Sequence, residues 1–189
     1  MQNGVTARHV RRCDLPIGIN VLANAAMTAL AVAKAAQARF IRVNEWANAY
    51  VANEGLIEGA AAKAMRYRSW LHAHDVAVFA DVHVKHGAHA IVGDRSIAEL
   101  TRDVEFFNAD AVIVTGQRTG NAATTRELQE VREATSLPLL VGSGVTKENV
   151  AAIMAMADGV IIGSSLKRGG GWWRPVEVKR VEAFMKAFA

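Results

Sequence analysis

Short apolar runs of strand length recur along the chain, and between them apolar residues return every three or four positions, as on one face of a helix. The runs predict six strands, at Ile17 to Leu22, Phe40 to Asn44, Val76 to Val84, Ala111 to Thr115, Leu139 to Gly142 and Gly159 to Ile162. The intervening and closing segments predict helices at Ala25 to Gln37, Gly59 to His74, Ser96 to Asn108, Thr124 to Thr135, Lys147 to Met156 and Pro175 to Phe188. Such strict alternation calls for parallel strands with helices packed outside them, because a parallel connection must cross back over the sheet. The predicted fold is α/β, a (β/α)8 TIM-barrel type of about six βα units. A closed barrel takes about 250 residues, against the 189 of this chain.

The reading places the two missing units at the N-terminus. Residues 1–14 then carry the remnant of a preceding helix, with Val5 to Arg12 as its last turns, and 1–189 forms a single partial barrel domain. A six-stranded remnant has two unpaired edges, which attract association. Either a second copy covers them in a homo-oligomer, or the chain is a truncated or late-start version of a longer protein.

Composition narrows the function classes. Hydrophobic residues make up 51% and charged residues 21%, the balance of a globular chain with a substantial core. The net charge of +4 is spread along the chain, with no basic run longer than Arg11-Arg12, so no nucleic-acid footprint is expected. No apolar stretch approaches the roughly twenty residues of a membrane span, and Met1 to Gly4 does not begin a signal peptide. The single cysteine, Cys13, has no disulfide partner and fits a reducing cytoplasm. His72, His74, His83, His86 and His89 lack metal-ligand spacing, so neither a metal nor another cofactor is expected.

The last two predicted strands both break into Gly/Ser, as Val141-Gly142-Ser143-Gly144-Val145-Thr146 and Ile162-Gly163-Ser164-Ser165. Loops after the seventh and eighth strands of a β/α barrel commonly hold a phosphate, because glycine lets backbone N–H groups approach an anion closely. Gly142, Ser143, Gly144, Gly163 and Ser164 are therefore the candidate phosphate-binding residues. The plainer alternative is that these glycines only turn the chain out of the sheet.

Other strand ends carry polar side chains. In Ala80-Asp81-Val82-His83-Val84-Lys85, alternation puts Asp81, His83 and Lys85 on one face, aimed at the barrel mouth. They are the candidate acid–base group; otherwise Asp81 forms a structural ion pair with Lys85 or Arg42. Arg42 and Asn44 share a face of their strand, and with Asn20 and Thr115 they form a candidate substrate-binding rim. Gly116 to Gly120 extends that rim with amide and glycine. Glu45 to Glu58 is longer than a usual connection and suits a loop closing over the mouth as a lid. Gly169 to Arg174 reads as a turn with two tryptophans, suited to packing on the last helix, a lid or a partner surface.

The ordered set of motifs resembles the BtpA/SgcQ family. It comprises Leu15 to Leu22, Phe40 to Asn44, Gly55 to Gly59 leading to Arg66-Tyr67-Arg68, Ala80 to His86, Ala109 to Gly116, Val141 to Thr146, and Asp158 to Gly163 continuing to Lys167. The resemblance implies a (β/α)8 barrel. Its family names are attached to photosystem I biogenesis and to a sugar-related operon, and no settled mechanism comes with it. The expected function is a cytoplasmic barrel protein binding a phosphorylated small molecule, as an isomerase or lyase acting on a sugar phosphate. The rival class is a non-catalytic assembly or stability factor.

Overall fold

A computed structural model describes residues 14–116 and 122–188. The predicted helix remnant before residue 14, and Gln117 to Gly120 of the predicted rim, lie outside the described residues. Six strands form one parallel sheet in the order β1-β2-β5-β6-β7-β8. They are β1 (Gly18–Asn20), β2 (Phe40–Val43), β5 (Ala77–His83), β6 (Ala111–Thr115), β7 (Leu139–Gly142) and β8 (Gly159–Ile161). The helices are α1 (Ala26–Ala36), α2 (Ala61–Trp70), α3 (Ile97–Phe106), α4 (Thr125–Ala134), α5 (Val150–Met154) and α6 (Val178–Phe188). The sequential order of neighbouring strands and the alternation with helices are those of a (β/α)-barrel wall.

One departure from the expected layout lies in Glu45 to Glu58. The segment is not a loop: β3 (Ala49–Ala52) and β4 (Gly55–Glu58) pair as an antiparallel hairpin. Trp46 anchors its base, fully buried, with its indole N–H donating to the Phe107 carbonyl at 3.1 Å. The Asn48 amide donates to Asp103 at 2.9 Å, and a bridge joins Val51 to Ala88. Those ties hold the hairpin to its neighbours.

The core lies between the sheet and the helices. Ile41, Val43, Val76, Val78, Ala80, Val112, Val114, Leu139 and Val141 are buried against Leu30, Leu100, Val104, Leu128, Val131, Val150 and Ile153. On α1 the buried positions Ala26, Ala29, Ala33 and Ala36 are small, which lets the helix approach closely, and Leu30 among them fills the core. Side-chain caps define two helix starts. The Ser96 hydroxyl accepts from Glu99 N ahead of α3, and Thr124 and Glu127 form a reciprocal capping box ahead of α4.

The opposite face of the sheet alternates with the core face and carries a different set. Phe40 and Phe79 stack there with ring centroids 4.5 Å apart. Gly18 makes room for them, since a Cβ at this position would stand 2.1 Å from the Phe40 ring. Arg42 is paired in register with Phe79, Asp81 with Ile113, and Thr115 with Gly142. Polar groups therefore gather toward the C-terminal ends of the strands.

Candidate active site at the C-terminal strand ends

Asp81 sits at the centre of a buried network. Its side chain is wholly shielded, and Arg42 grips it in a fork, Nε to Oδ1 at 2.9 Å and Nη2 to Oδ2 at 2.8 Å. The Asn44 amide donates to the same Oδ2 at 3.2 Å. Burial pushes the Asp81 carboxyl above the ordinary range, while the Arg42 fork and the Asn44 amide oppose that shift. Of the alternatives open to Asp81, the ion pair with Arg42 is the one observed. The Asn20 amide donates to the Arg42 carbonyl at 3.0 Å, tying β1 to β2 beneath the network.

A register slip separates the predicted acid–base residues. Between Asp81 and His83 the β5–β6 ladder shifts by one residue, so Asp81 pairs with Ile113 but His83 pairs with Val114, which belongs to the helix-facing core. His83 is thereby carried off the face that holds Asp81. Its ring lies 3.7 Å from that of His89, which in turn stacks on Tyr50 at 5.3 Å. Burial and His89 hold the His83 imidazole below its usual range, with Glu127 acting the other way. Thr115 stitches the slip, donating to the His83 carbonyl and accepting from Lys85 N, each at 3.1 Å.

Lys85 remains on the Arg42 side. It lines a cavity of about 330 Å³ together with Arg42, Ser143, Gly144, Gly163, Ser164, Lys167 and Trp172. Burial and the Arg42 charge hold its ammonium below the usual lysine range, partly offset by Asp81. Among the described lining residues the ionisable side chains are Arg42, Lys85 and Lys167, all cationic. Both glycine loops thus meet two strand-end cations across one small space. Gly142, at the end of β7, is buried and does not line the cavity; a Cβ there would make ordinary contacts with Thr115, Ile113 and Ile161.

The loop after β7 has an unusual backbone. Ser143 at φ 70° and Gly144 at φ 66° are consecutive left-handed residues, and a serine held there costs on the order of 1 kcal/mol or more. Asn149 braces the turn, its Nδ2 donating to the Gly144 carbonyl at 2.9 Å while its Oδ1 accepts from Thr146 N at 2.8 Å. A larger groove of about 560 Å³ shares Gly144, Val145 and Ser164 with the Lys85 cavity and runs on along Thr146 to Glu148 and the helix residues Lys179, Arg180 and Phe184. It includes neither Arg42 nor Lys85, which line the smaller cavity, so the smaller cavity is the better candidate for chemistry.

Glu45 has no role in the sequence reading beyond starting a loop. It is 6% exposed, and its backbone is pinned by Asn24, which accepts from Glu45 N at 2.8 Å and donates to Glu45 O at 2.9 Å. Burial and the neighbouring Asp81 push its carboxyl up to about 8. Tyr50 is pushed up as well, by burial first and then by Glu45. The sequence signal is an acid placed directly after a strand and directly before a tryptophan that anchors a turn. Lys167 and Trp172 are further additions, brought to the cavity by the turn after β8. Among the described residues no cluster of three or more His, Cys, Asp or Glu could hold a metal ion, and no helix is long and apolar enough to cross a membrane.

Parallel strands alternating with helices, with the polar side chains collected at the strands' C-terminal ends, define a (β/α)-barrel protein. Solved structures bear out the fold. N-(5'-phosphoribosyl)anthranilate isomerase from Pyrococcus furiosus superposes with a TM-score of 0.68 at 15% identity, covering 100% of this chain and 80% of that one. Thiamine phosphate pyrophosphorylase from Pyrococcus furiosus gives 0.64 at 15% identity, over 98% of this chain and 75% of that one.

The chain belongs to the BtpA family, whose model matches residues 4–189. It is 43% identical over 89% of its length to an uncharacterized mitochondrial protein of Caenorhabditis elegans, F13E9.13, and 40% identical over 97% to an uncharacterized protein of Archaeoglobus fulgidus. To the photosystem I biogenesis protein BtpA of Synechocystis sp. it is 39% identical over 92%. It spans 61%, 71% and 60% of those three relatives.

Proposed function

We propose that this protein binds a phosphorylated small metabolite in the cavity at the C-terminal strand ends and acts on it as an isomerase or lyase of the sugar-phosphate type. The observation that carries the reading is the convergence of Ser143, Gly144, Gly163 and Ser164 with Arg42 and Lys85 around one space of about 330 Å³. Glycine-bearing loops and two cations are a receptor for a compact anion, and this end of a β/α barrel is where such ligands bind.

In this reading Gly142 leads into the first of the two loops, and the loops hold the phosphate. Lys85 is the acid–base candidate: its lowered range makes the neutral amine easier to reach than in a solvated lysine. Asp81 acts through Arg42, keeping the guanidinium at the cavity wall, with Asn44 and Asn20 fixing the pair. Thr115 holds the Lys85 backbone in place, and His83 supports the slip beside it. In this reading the protein works in the cytoplasm, and a second copy can cover its sheet edges.

The name of the Synechocystis relative favours a second reading, a non-catalytic assembly factor that has kept the barrel as a binding module. Thermal shift against a panel of phosphorylated metabolites separates the two. The metabolite reading expects stabilisation by at least one sugar phosphate and its loss in Gly163→Asp, where a Cβ meets nothing within 4 Å and the added carboxylate repels the anion. Absence of any response across the panel contradicts it and leaves the assembly reading standing.

A further inference from the structure

Trp172 lines the same cavity as Arg42 and Lys85 and has no role in the proposed function above. Its residue is 65% exposed, a large apolar ring left in water beside a cationic pocket. The turn that carries it is closely tied. Arg168 N donates to the Pro175 carbonyl at 3.0 Å, Arg174 N to the Gly171 carbonyl at 3.0 Å, and Lys167 bridges to Val176. The Lys167 ammonium holds the Trp172 carbonyl from the cavity side. The ring of Trp173 stands edge-on to that of Trp172, with centroids 5.6 Å apart and planes at 86°. An exposed indole on a backbone tied in this way leaves little of the turn to order when a flat group settles on it.

The size of the cavity bears on what that group is. About 330 Å³ is at the small end for ligand pockets, so a phosphate and its sugar occupy most of it. A substituent larger than the sugar reaches the part of the cavity that Trp172 lines. We infer that the ligand carries a planar aromatic ring attached to its phosphorylated sugar, and that Trp172 is the platform on which the ring stacks. The inference rests on the phosphate reading and narrows its substrate class from sugar phosphates in general to aryl- or base-bearing ones. Stacking on an aromatic side chain is tolerant of which ring is offered.

The test compares three probes by calorimetric titration: inorganic phosphate, ribose 5-phosphate and a nucleoside 5'-monophosphate. The native chain is expected to bind the nucleotide about tenfold or more tighter than ribose 5-phosphate. Trp172→Ala is expected to erase that preference while leaving ribose 5-phosphate binding within about twofold, and Trp172→Phe to keep most of it. Trp173 is equally exposed, at 68%, but does not line the cavity, so Trp173→Ala is expected to change nothing. Equal affinity for nucleotide and ribose 5-phosphate in the native chain overturns the stacking role and spares the phosphate site. So does a preference that survives in Trp172→Ala. If none of the three probes binds, the phosphate site itself fails and the inference falls with it.

Discussion

At β2 and β5 the mouth is built from charged and amide side chains: Arg42, Asp81, Asn44 and Glu45, three of them less than a tenth exposed. At β7 and β8 it is built from Gly142 to Val145 and Ile161 to Ser164, where no side chain is ionisable. One region meets its electrostatic demands internally, through a fork and an amide. The other leaves short side chains and backbone beside open space, with nothing within 4 Å of a Cβ at Gly163. The difference shows how a barrel divides its labour. Buried charges fix geometry and proton affinity at one side, while the glycine loops of the other side leave open space.

The largest effect is expected from cutting the fork. Asp81→Ala leaves the Arg42 guanidinium, whose side chain is four-fifths buried at the cavity wall, without its partner, and urea unfolding should show a loss of about 3 kcal/mol. A loss below about 1 kcal/mol would mean that Arg42 reaches solvent and that the two regions are electrostatically alike.

Glu45 supplies a test by pH. Its carboxyl is raised in the folded chain, from the ordinary 4.5 to about 8, so over that interval the folded state holds a proton that the unfolded state has released. Its contribution is complete below pH 4.5 and lost as pH rises through about 8. Stability should therefore decline across this window by roughly 2–5 kcal/mol from this group. Glu45→Gln should flatten the decline, measured by denaturant unfolding at several pH values. The same slope in both proteins would place the carboxylate in water.

The smallest contrast concerns two glycines. Gly18→Ala drives a methyl into the Phe40 ring and should cost about 1–3 kcal/mol, because the ring is itself stacked on Phe79. Gly163→Ala should change stability by less than about 0.5 kcal/mol, since the methyl meets open space. Equal costs at the two sites would erase the distinction between a packed region and an open one.

The strands of the parallel sheet were legible in the sequence because each is a run of strand length bounded by polar or glycine positions, and the helices between them followed from periodicity. The hairpin at Ala49–Ala52 and Gly55–Glu58 was not, because each of its strands is only 4 residues long and Trp46, which anchors it, reads from sequence as one more loop aromatic. Nor was the slip after Asp81. Register is set by the partner strand, and simple alternation placed His83 beside Asp81 where the ladder does not. The Arg42–Asp81 pair was one of the arrangements the strand faces allowed, since opposite charges on the same face of two nearby strands are within reach. Glu45 escaped notice because its burial depends on the hairpin that follows it. Trp172 was visible as a residue, but its place at the cavity depends on the fold of the turn after β8.

The most direct measurement is a crystal structure with ribose 5-phosphate bound at saturating concentration. The account predicts phosphate density between the Ser143-Gly144 and Gly163-Ser164 segments, with backbone N–H groups within hydrogen-bond distance and Lys85 and Arg42 facing the sugar. Phosphate seated instead in the larger groove beside Lys147 and Arg180, or no density in either place, would contradict it.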